Sequence, residues 1–268
     1  MEIITVILSG LLLLISPVGF VVDQVAEDAI RSRLVETESL EVRVDNGSPV
    51  QLLQGRVERV RIAGRGIVPT PGLRIEVAEL ETDPIDLAFN SLRNGEVVLD
   101  EALQGALRLV VTEADINTFL TSDTITEQLS RLQIGGLNPA QARERDRYRI
   151  NNPSVQFLMG DRLQISLELA DLVQGGALQI DAASGLSVSE GDRLILIEPT
   201  LSVNGSPAPP RLVKTLLGSI NERLSLQRLE REGITARVID FSVQPDELEL
   251  AMWVRVDPSV TAAAEGEP

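Results

Sequence analysis

The sequence predicts an α+β fold, a long curved antiparallel sheet packed around amphipathic helices. Three observations carry this expectation. Runs that alternate apolar and polar residues outnumber helical patterns. Turn residues between those runs are spaced as in hairpins. The helical patterns present an apolar stripe of the kind that covers a sheet face.

The chain opens on an almost uninterrupted apolar run, Ile3 to Val22. About 20 such residues span a bilayer core at about 1.5 Å per residue. Pro17 ends or kinks the helix and leaves a strong segment of only Ile3 to Ser16. A cleaved signal peptide wants a positive start and a small-x-small site. Here Glu2 is the only charged side chain before the run, and no Ala-x-Ala occurs. Residues 1–22 are expected to be a membrane anchor or a signal segment, with a buried core helix as the third reading. The following flank mixes Asp23, Glu27 and Asp28 with Arg31 and Arg33, so it gives no orientation.

Gln24 to Glu38 predicts a short helix with Val25, Ala29, Ile30 and Leu34 near helical spacing. The period then changes to two. Leu40, Val42 and Val44 alternate with Glu41, Arg43 and Asp45 as a half-buried strand. Arg56 to Ile62 predicts a strand with a bulge at Glu58 and Arg59. Leu73, Ile75 and Val77 form the next strand, after a turn at Pro69 to Gly72, and Ala106 to Val111 another. Thr112 followed by Asp115 is a capping-box pattern and opens a helix bearing Phe119 and Leu120. Thr124 with Glu127 opens a second, Ile125 to Leu132, ended by Gly135 and Gly136.

The second half repeats the plan. Leu163, Ile165, Leu167 and Leu169 alternate with Arg162, Gln164, Ser166 and Glu168. Leu178 and Ile180, Leu186 and Val188, and Leu194 to Ile197 add strands. A long helix is expected from Arg211 to about Glu232, stopped by Gly233. Leu248, Leu250, Met252, Val254 and Val256 make the last strand, and the tail 258–268 is expected to be disordered. Residues 23–257 are thus expected to be one elongated domain with halves at about 40–135 and 150–257.

Composition removes several chemistries. The chain has 268 residues, a net charge of −16, 3% aromatics, no Cys and no His. A strongly negative field disfavours nucleic acid, and few aromatics leave no base-stacking platform. Without Cys or His, thiol catalysis, disulfides, the usual zinc sites and histidine bases are all excluded. Glu79, Glu81 and Asp83, or Asp123 and Glu127, supply carboxylate groupings for a cation or for acid–base work, against a background of solvated surface charge. No phosphate loop, nucleophile elbow or dinucleotide fingerprint occurs. No cofactor, metal site or catalytic residue is expected.

Two features lean toward membranes. Arg143, Arg145, Arg147 and Arg149 share one side if their segment is extended, a pattern for lipid phosphates or simply a solvated mixed-charge loop. Trp253, the only tryptophan, falls on the polar side of its strand, for a membrane surface or for a covering loop. Lys214 is the only lysine, either a compositional bias or a preference for guanidinium contacts with phosphate.

The stretch from Leu107 to Leu120, LRLVVTEADINTFL, resembles the strand-to-helix segment of the LmeA-like phospholipid-binding family of bacterial envelope proteins. Gln54 to Ile62, the segment after Pro207-Ala208-Pro209-Pro210, the Gly233-Ile234 turn and the final strands are similar to it as well. The likeness covers roughly Val25 to Asp257. It implies a non-enzymatic, extracytoplasmic, membrane-associated phospholipid binder with a fold resembling tubular lipid-binding domains, where an apolar groove holds acyl chains. A scaffold domain without a lipid ligand is the alternative. Each methylene taken from water contributes about 0.8 kcal/mol, so a sixteen-carbon chain brings on the order of 10 kcal/mol. That force is non-directional and needs aliphatic walls rather than a motif. Candidate wall residues are Leu107, Leu109, Phe119, Leu163, Ile165, Leu167, Leu216, Leu250 and Met252; Arg143, Arg145, Arg147, Arg149 and Trp253 are candidates for head-group or membrane contact.

Overall fold

The structure, a computed structural model, describes residues 27–28, 30–45, 55–88, 99–130, 148–173, 175–209, 213 and 224–258. The apolar run 1–22, Leu216, Gly135, Gly136 and the tail from 259 lie outside them.

The first half supplies β1 (Ser39–Asp45), β2 (Arg56–Val57), β3 (Arg59–Thr70), β4 (Leu73–Thr82), β5 (Ile85–Asp86) and β6 (Leu103–Thr112), then α1 (Glu113–Leu120) and α2 (Asp123–Ser130). The second supplies β7 (Tyr148–Leu158), β8 (Arg162–Asp171), β9 (Ala177–Ser189), β10 (Arg193–Val203) and β11 (Ser206–Pro207). It closes with α3 (Gln227–Glu230), β12 (Ile234–Gln244) and β13 (Glu247–Val256). Every pairing between these strands is antiparallel.

The strands form two large sheets, not the single long sheet expected. One has the order β1-β3-β4-β6-β13-β12, the other β11-β10-β9-β8-β7. The last two strands of the chain therefore return to the first sheet, where β13 pairs with β6. Alternation along one strand sets which residues share a face, but says nothing about which sheet the strand joins.

Turn chemistry fixes the hairpins of the second sheet. Gly160 and Asp161 join β7 to β8 with φ of 75° and 55°. Glu190 and Gly191 join β9 to β10 with φ of 55° and 73°. Two consecutive positive φ angles give a turn whose twist matches the flanking strands.

The inner face of the first sheet is a packed aliphatic core. Ile62, Leu80, Leu107, Leu109, Met252 and Val254 are buried in it. The small β2–β5 ribbon covers this face with Val57 and Ile85, and the α3 segment covers it with Leu226 and Leu229. The outer face is polar. Arg61 lies 3.1 Å from Asp45 and 3.5 Å from Glu81, and Arg108 bridges Glu79 at 3.1 Å and Glu249 at 2.5 Å. A second small cluster, Leu73, Phe119 and Ile125, lies beneath α1 and α2.

The capping box at Thr112 forms: its hydroxyl accepts from Asp115 N–H at 3.1 Å and donates to the Asp115 carboxylate at 2.7 Å. Other helices differ from expectation. In the 24–38 segment helical residues end at Arg31, and Glu36 bridges Val68 of β3. The helix expected over 211–232 does not run through Leu224 to Leu226, because Ser225 is drawn into a bridge with Arg193. Only Gln227–Glu230 is helical near its end, with Gly233 (φ 79°) stopping it. Pro69 lies within β3, so the turn itself is Pro71–Gly72.

Hydrogen bonds from side chains and backbone join the two sheets through strand edges. On the β7 edge, α1 offers Glu113 and Asn117, one turn apart, to the backbone of Phe157 and Val155. On the β12 edge, Val243 N–H donates to the Asp161 carboxylate at 2.8 Å, and Val238 N–H to the Gly191 carbonyl at 2.6 Å. Edge groups that would otherwise be unpaired are thereby satisfied.

Candidate functional site

The second sheet has one apolar face. On β8 it carries Leu163, Ile165, Leu167 and Leu169. In register these face Ser184, Ala182, Ile180 and Leu178 of β9. Val155 and Phe157 of β7 lie on the other side, opposite Ile165 and Leu163. Beyond β9, Leu194 pairs with Val188 and Leu196 with Leu186. A bulge between Ile197 and Thr200, with Glu198 at φ 45°, shifts the alternation. Leu201 then comes into register with Ala182, on the same face.

Small residues open a hole in the middle of this face. Ala182 and Ser184 sit where their neighbours carry Leu or Ile, so flanking side chains stand around a gap. The resulting cavity measures about 220 Å³ and is lined by Leu163, Ile165, Ala182, Leu196, Leu201 and Leu224, among others. Its two hydroxyls turn back to the sheet: Ser184 Oγ lies within hydrogen-bond reach of the carbonyls of Gly185 at 2.7 Å and Ile197 at 3.0 Å, and Thr200 Oγ1 donates to the Ala183 carbonyl at 3.2 Å. What remains is a carbon-lined space, the kind that stays dry.

The face is not sealed. Ile165 is 38% exposed and Leu178 is 36% exposed. From Leu178 to Leu186 the strand advances eight residues, about 26 Å at roughly 3.3 Å each. One acyl chain spans half of a hydrocarbon core of about 30 Å, so the face is long enough for one. The turn joining β8 to β9 ends this surface with Leu172 and Val173, both more than half exposed.

The expected wall residues separate into three places. Leu163 and Ile165 line the cavity, and Leu167 is on the same face beside Ile180. Leu107, Leu109 and Met252 lie in the packed core of the first sheet, and Leu250 packs against it. Phe119 belongs to the small cluster under α1 and α2. Arg143, Arg145 and Arg147 lie outside the described residues, as does Leu216. Arg149 is exposed on β7. Trp253 is half-buried on the outer face of the first sheet, in register with Ala106 and Arg237. Sequence reasoning missed Ala182, Leu196, Leu201 and Leu224. The available signal was the run of small residues Ala182-Ala183-Ser184-Gly185 inside a strand.

Glu79 pairs with Arg108, and Glu81 with Arg59 at 2.9 Å and with Arg61. The described residues contain no grouping of three or more acidic side chains able to hold a metal ion. No described helix is long and apolar enough to cross a membrane. Arg74, joined to Glu38 at 2.7 Å, Glu76 at 2.6 Å and Asp115 at 3.0 Å, has its pKa raised, first by the bond to Glu38. These three acceptors mark it as a structural hub beside α1.

Near the start of β10 lies a larger hollow of about 720 Å³ with a mixed polar and apolar lining. Its walls include Arg193, Ser225, Arg228, Glu230 and Arg231, and it shares Leu194 with the apolar cavity. Behind it Asp192 is buried and accepts from the Gln227 amide at 2.9 Å. That bond first, then the charges of Arg237 and Arg193, hold its carboxyl below the usual carboxylate range against the opposing effect of burial.

No curated protein and no solved structure matches the chain. The sequence profile of one family does, over residues 15–252, which takes in the second sheet, most of the first, and the cavity between the second sheet and the Leu224 segment. The chain belongs to the LmeA-like phospholipid-binding family.

Proposed function

We propose that the chain is a non-enzymatic phospholipid-binding protein that seats an acyl chain in the cavity and along the open apolar face of the second sheet. The carrying observation is that cavity: about 220 Å³, lined by aliphatic side chains, and continuous with the exposed Ile165 and Leu178. Pockets for drug-sized ligands begin near 300 Å³. The cavity therefore takes a length of one chain, and the rest lies along Leu167, Leu178 and Ile180. In this reading the second sheet and the segment bearing Val213 and Leu224 are the tubular, lipid-holding part of the molecule. Leu107, Leu109 and Met252 hold the first sheet rigid behind it.

Energetics suit exchange with a bilayer. Leaving water for this site is worth on the order of 10 kcal/mol for a sixteen-carbon chain. Leaving a bilayer for it is nearly neutral, because lipid tails are as apolar as Leu. A groove of this kind loads and unloads at a membrane and holds its cargo in water. The working place is then the extracytoplasmic surface of a bacterial membrane, with residues 1–22 as tether, and the role is lipid transfer or envelope maintenance.

The test is native mass spectrometry of the full chain after exposure to phospholipid vesicles. About one phospholipid per chain is expected. Repeated preparations that take up none would turn the assignment toward a scaffold without a lipid ligand.

A further inference from the structure

We infer that the free end of the second sheet, where the β8–β9 turn carries Leu172 and Val173, dips into the hydrocarbon surface of a lipid bilayer, and that the acyl chain enters the open face from there. The inference rests on the lipid-binding reading above and adds which end of the molecule meets the membrane.

Position comes first. The turns bearing Asp161 and Gly191 bond to β12 at one end of the second sheet. The β8–β9 and β10–β11 turns lie together at the other end. Gln179 N–H donates to the Asn204 side-chain oxygen at 2.9 Å, and Asn204 N–H to the Gln179 carbonyl at 2.8 Å. Both turns face open space among the described residues: a Cβ at Gly175, Gly176 or Gly205 would have no neighbour within 4 Å.

The surface at this end is apolar and uncharged. Leu172 is 52% exposed and Val173 72%, and they are the one pair of consecutive, exposed large apolar residues among the described residues. Leu172 to Ile180 and Pro199 to Pro210 contain no charged residue, in a chain of which 24% is charged. Immersing these segments therefore takes no ion out of water. The turn also bonds to itself: Asp171 N–H donates to the Gly176 carbonyl at 2.9 Å, Gly175 N–H to the Asp171 carbonyl at 3.1 Å, and Val173 N–H to the Asp171 carboxylate at 2.9 Å. Backbone satisfied from within suits a setting poor in water.

Size and continuity favour a bilayer over a protein. Two side chains fall far short of the roughly 800 Å² per partner that a stable protein interface buries. Placed in hydrocarbon, each favours the bound state on the order of tenfold or more. Behind the turn the apolar face continues through the pairs Leu178–Leu169 and Ile180–Leu167 to Ala182. From Leu178 to Ala182 the strand advances roughly 13 Å. One leaflet of hydrocarbon is about 15 Å deep. A chain drawn up from beneath the turn reaches the cavity before its far end has left the leaflet.

The chain has no Cys, so Val173→Cys and Met159→Cys each give a single site for an environment-sensitive fluorophore. Met159 is 75% exposed in the turn between β7 and β8, at the opposite end, and is the control. The full chain is mixed with vesicles of a choline phospholipid, with and without quenchers on the acyl chains. The label at Val173→Cys is expected to shift to the blue and to be quenched from within the bilayer, at low and at high salt alike. The label at Met159→Cys is expected to stay in water. Leu172→Asp with Val173→Asp is expected to slow uptake of a fluorescent phospholipid from vesicles on the order of tenfold or more. The lipid bound per chain at equilibrium, read by native mass spectrometry, should be unchanged.

A Val173→Cys label that stays in water while lipid is taken up overturns the docking end and leaves lipid binding standing. So do equal responses from both labels, or uptake that keeps its rate in the aspartate variant. A blue shift that appears without vesicles and grows with protein concentration assigns the turn to a second copy of the chain, against the inference. Absence of bound lipid in every preparation overturns the lipid-binding reading and the entry route with it.

Discussion

Asn117 and Val155 are bonded twice: the Asn117 carboxamide oxygen accepts from Val155 N–H at 2.7 Å, and its amide donates to the Val155 carbonyl at 2.8 Å. One helical side chain thus does for the edge of β7 what a neighbouring strand would do. Glu113, one turn earlier on α1, accepts from Phe157 N–H at 2.6 Å and continues the pattern. The second sheet is carried on the first by this contact and by the turns that meet β12.

Replacing Asn117 by Ala leaves both backbone groups of Val155 without these partners. The expected loss is about 1–3 kcal/mol. For a chain of this size that lowers Tm by roughly 2–4 °C per kcal/mol. Thr126→Ala, on the exposed side of α2, is expected to change stability by less than about 0.5 kcal/mol. Calorimetry of the two variants checks the contrast.

Core and groove respond differently to truncation. Leu107→Ala or Met252→Ala removes a side chain buried in the first sheet, at an expected cost of about 2–5 kcal/mol. Ile165→Ala removes one that is 38% exposed, and is expected to cost well under half of that while lowering lipid uptake. Urea melts and lipid titrations on the same three proteins measure both quantities.

Asp192 gives the fold a pH dependence whose sign is fixed. Its carboxyl is held below the usual range in the folded state. Its contribution is therefore fully present above the unfolded value of about 3.9 and is lost as pH falls through the lower, folded value. Asp192→Asn is expected to be less stable than the wild type at pH 7. The gap between them should narrow below about pH 4. A gap that stays constant from pH 7 to pH 3 would count against this assignment of the bond from Gln227.

The charged ladder on the outer face is expected to be nearly neutral. Glu79 and Glu81 are about half exposed. Their conversion to amides should cost at most about 1 kcal/mol each, less in high salt. Lipid uptake should be unchanged. A large loss of uptake in these variants would put function on the acidic side chains.

How much of this was legible in the sequence differs from element to element. The alternation in Leu163 to Leu169 and in Leu248 to Val256 placed β8 and β13, because a half-buried strand writes its burial at period two. Thr112 with Asp115 placed the start of α1, because a cap is a local bond. The division into two sheets was not legible: whether β13 pairs with β6 or with β10 depends on contacts far apart in the chain. β7 escaped notice because Asn151, Asn152 and Pro153 interrupt its pattern at a bulge. The cavity depends on Ala182 meeting Leu201 across a register shift, and single-strand periodicity is blind to a partner's register. Leu107 and Leu163 have the same residue type and the same kind of alternation, yet one is in a core and the other at an opening.

The central claim is that an acyl chain occupies the gap around Ala182. The direct measurement is photocrosslinking of the full chain with a phospholipid carrying a diazirine along its acyl chain, followed by peptide mapping. Label on β8, β9 and β10, at residues such as Leu163, Ile165, Ala182 and Leu196, is the predicted result. Label spread over the outer surface or falling on the first sheet, with those strands unmarked, would contradict it.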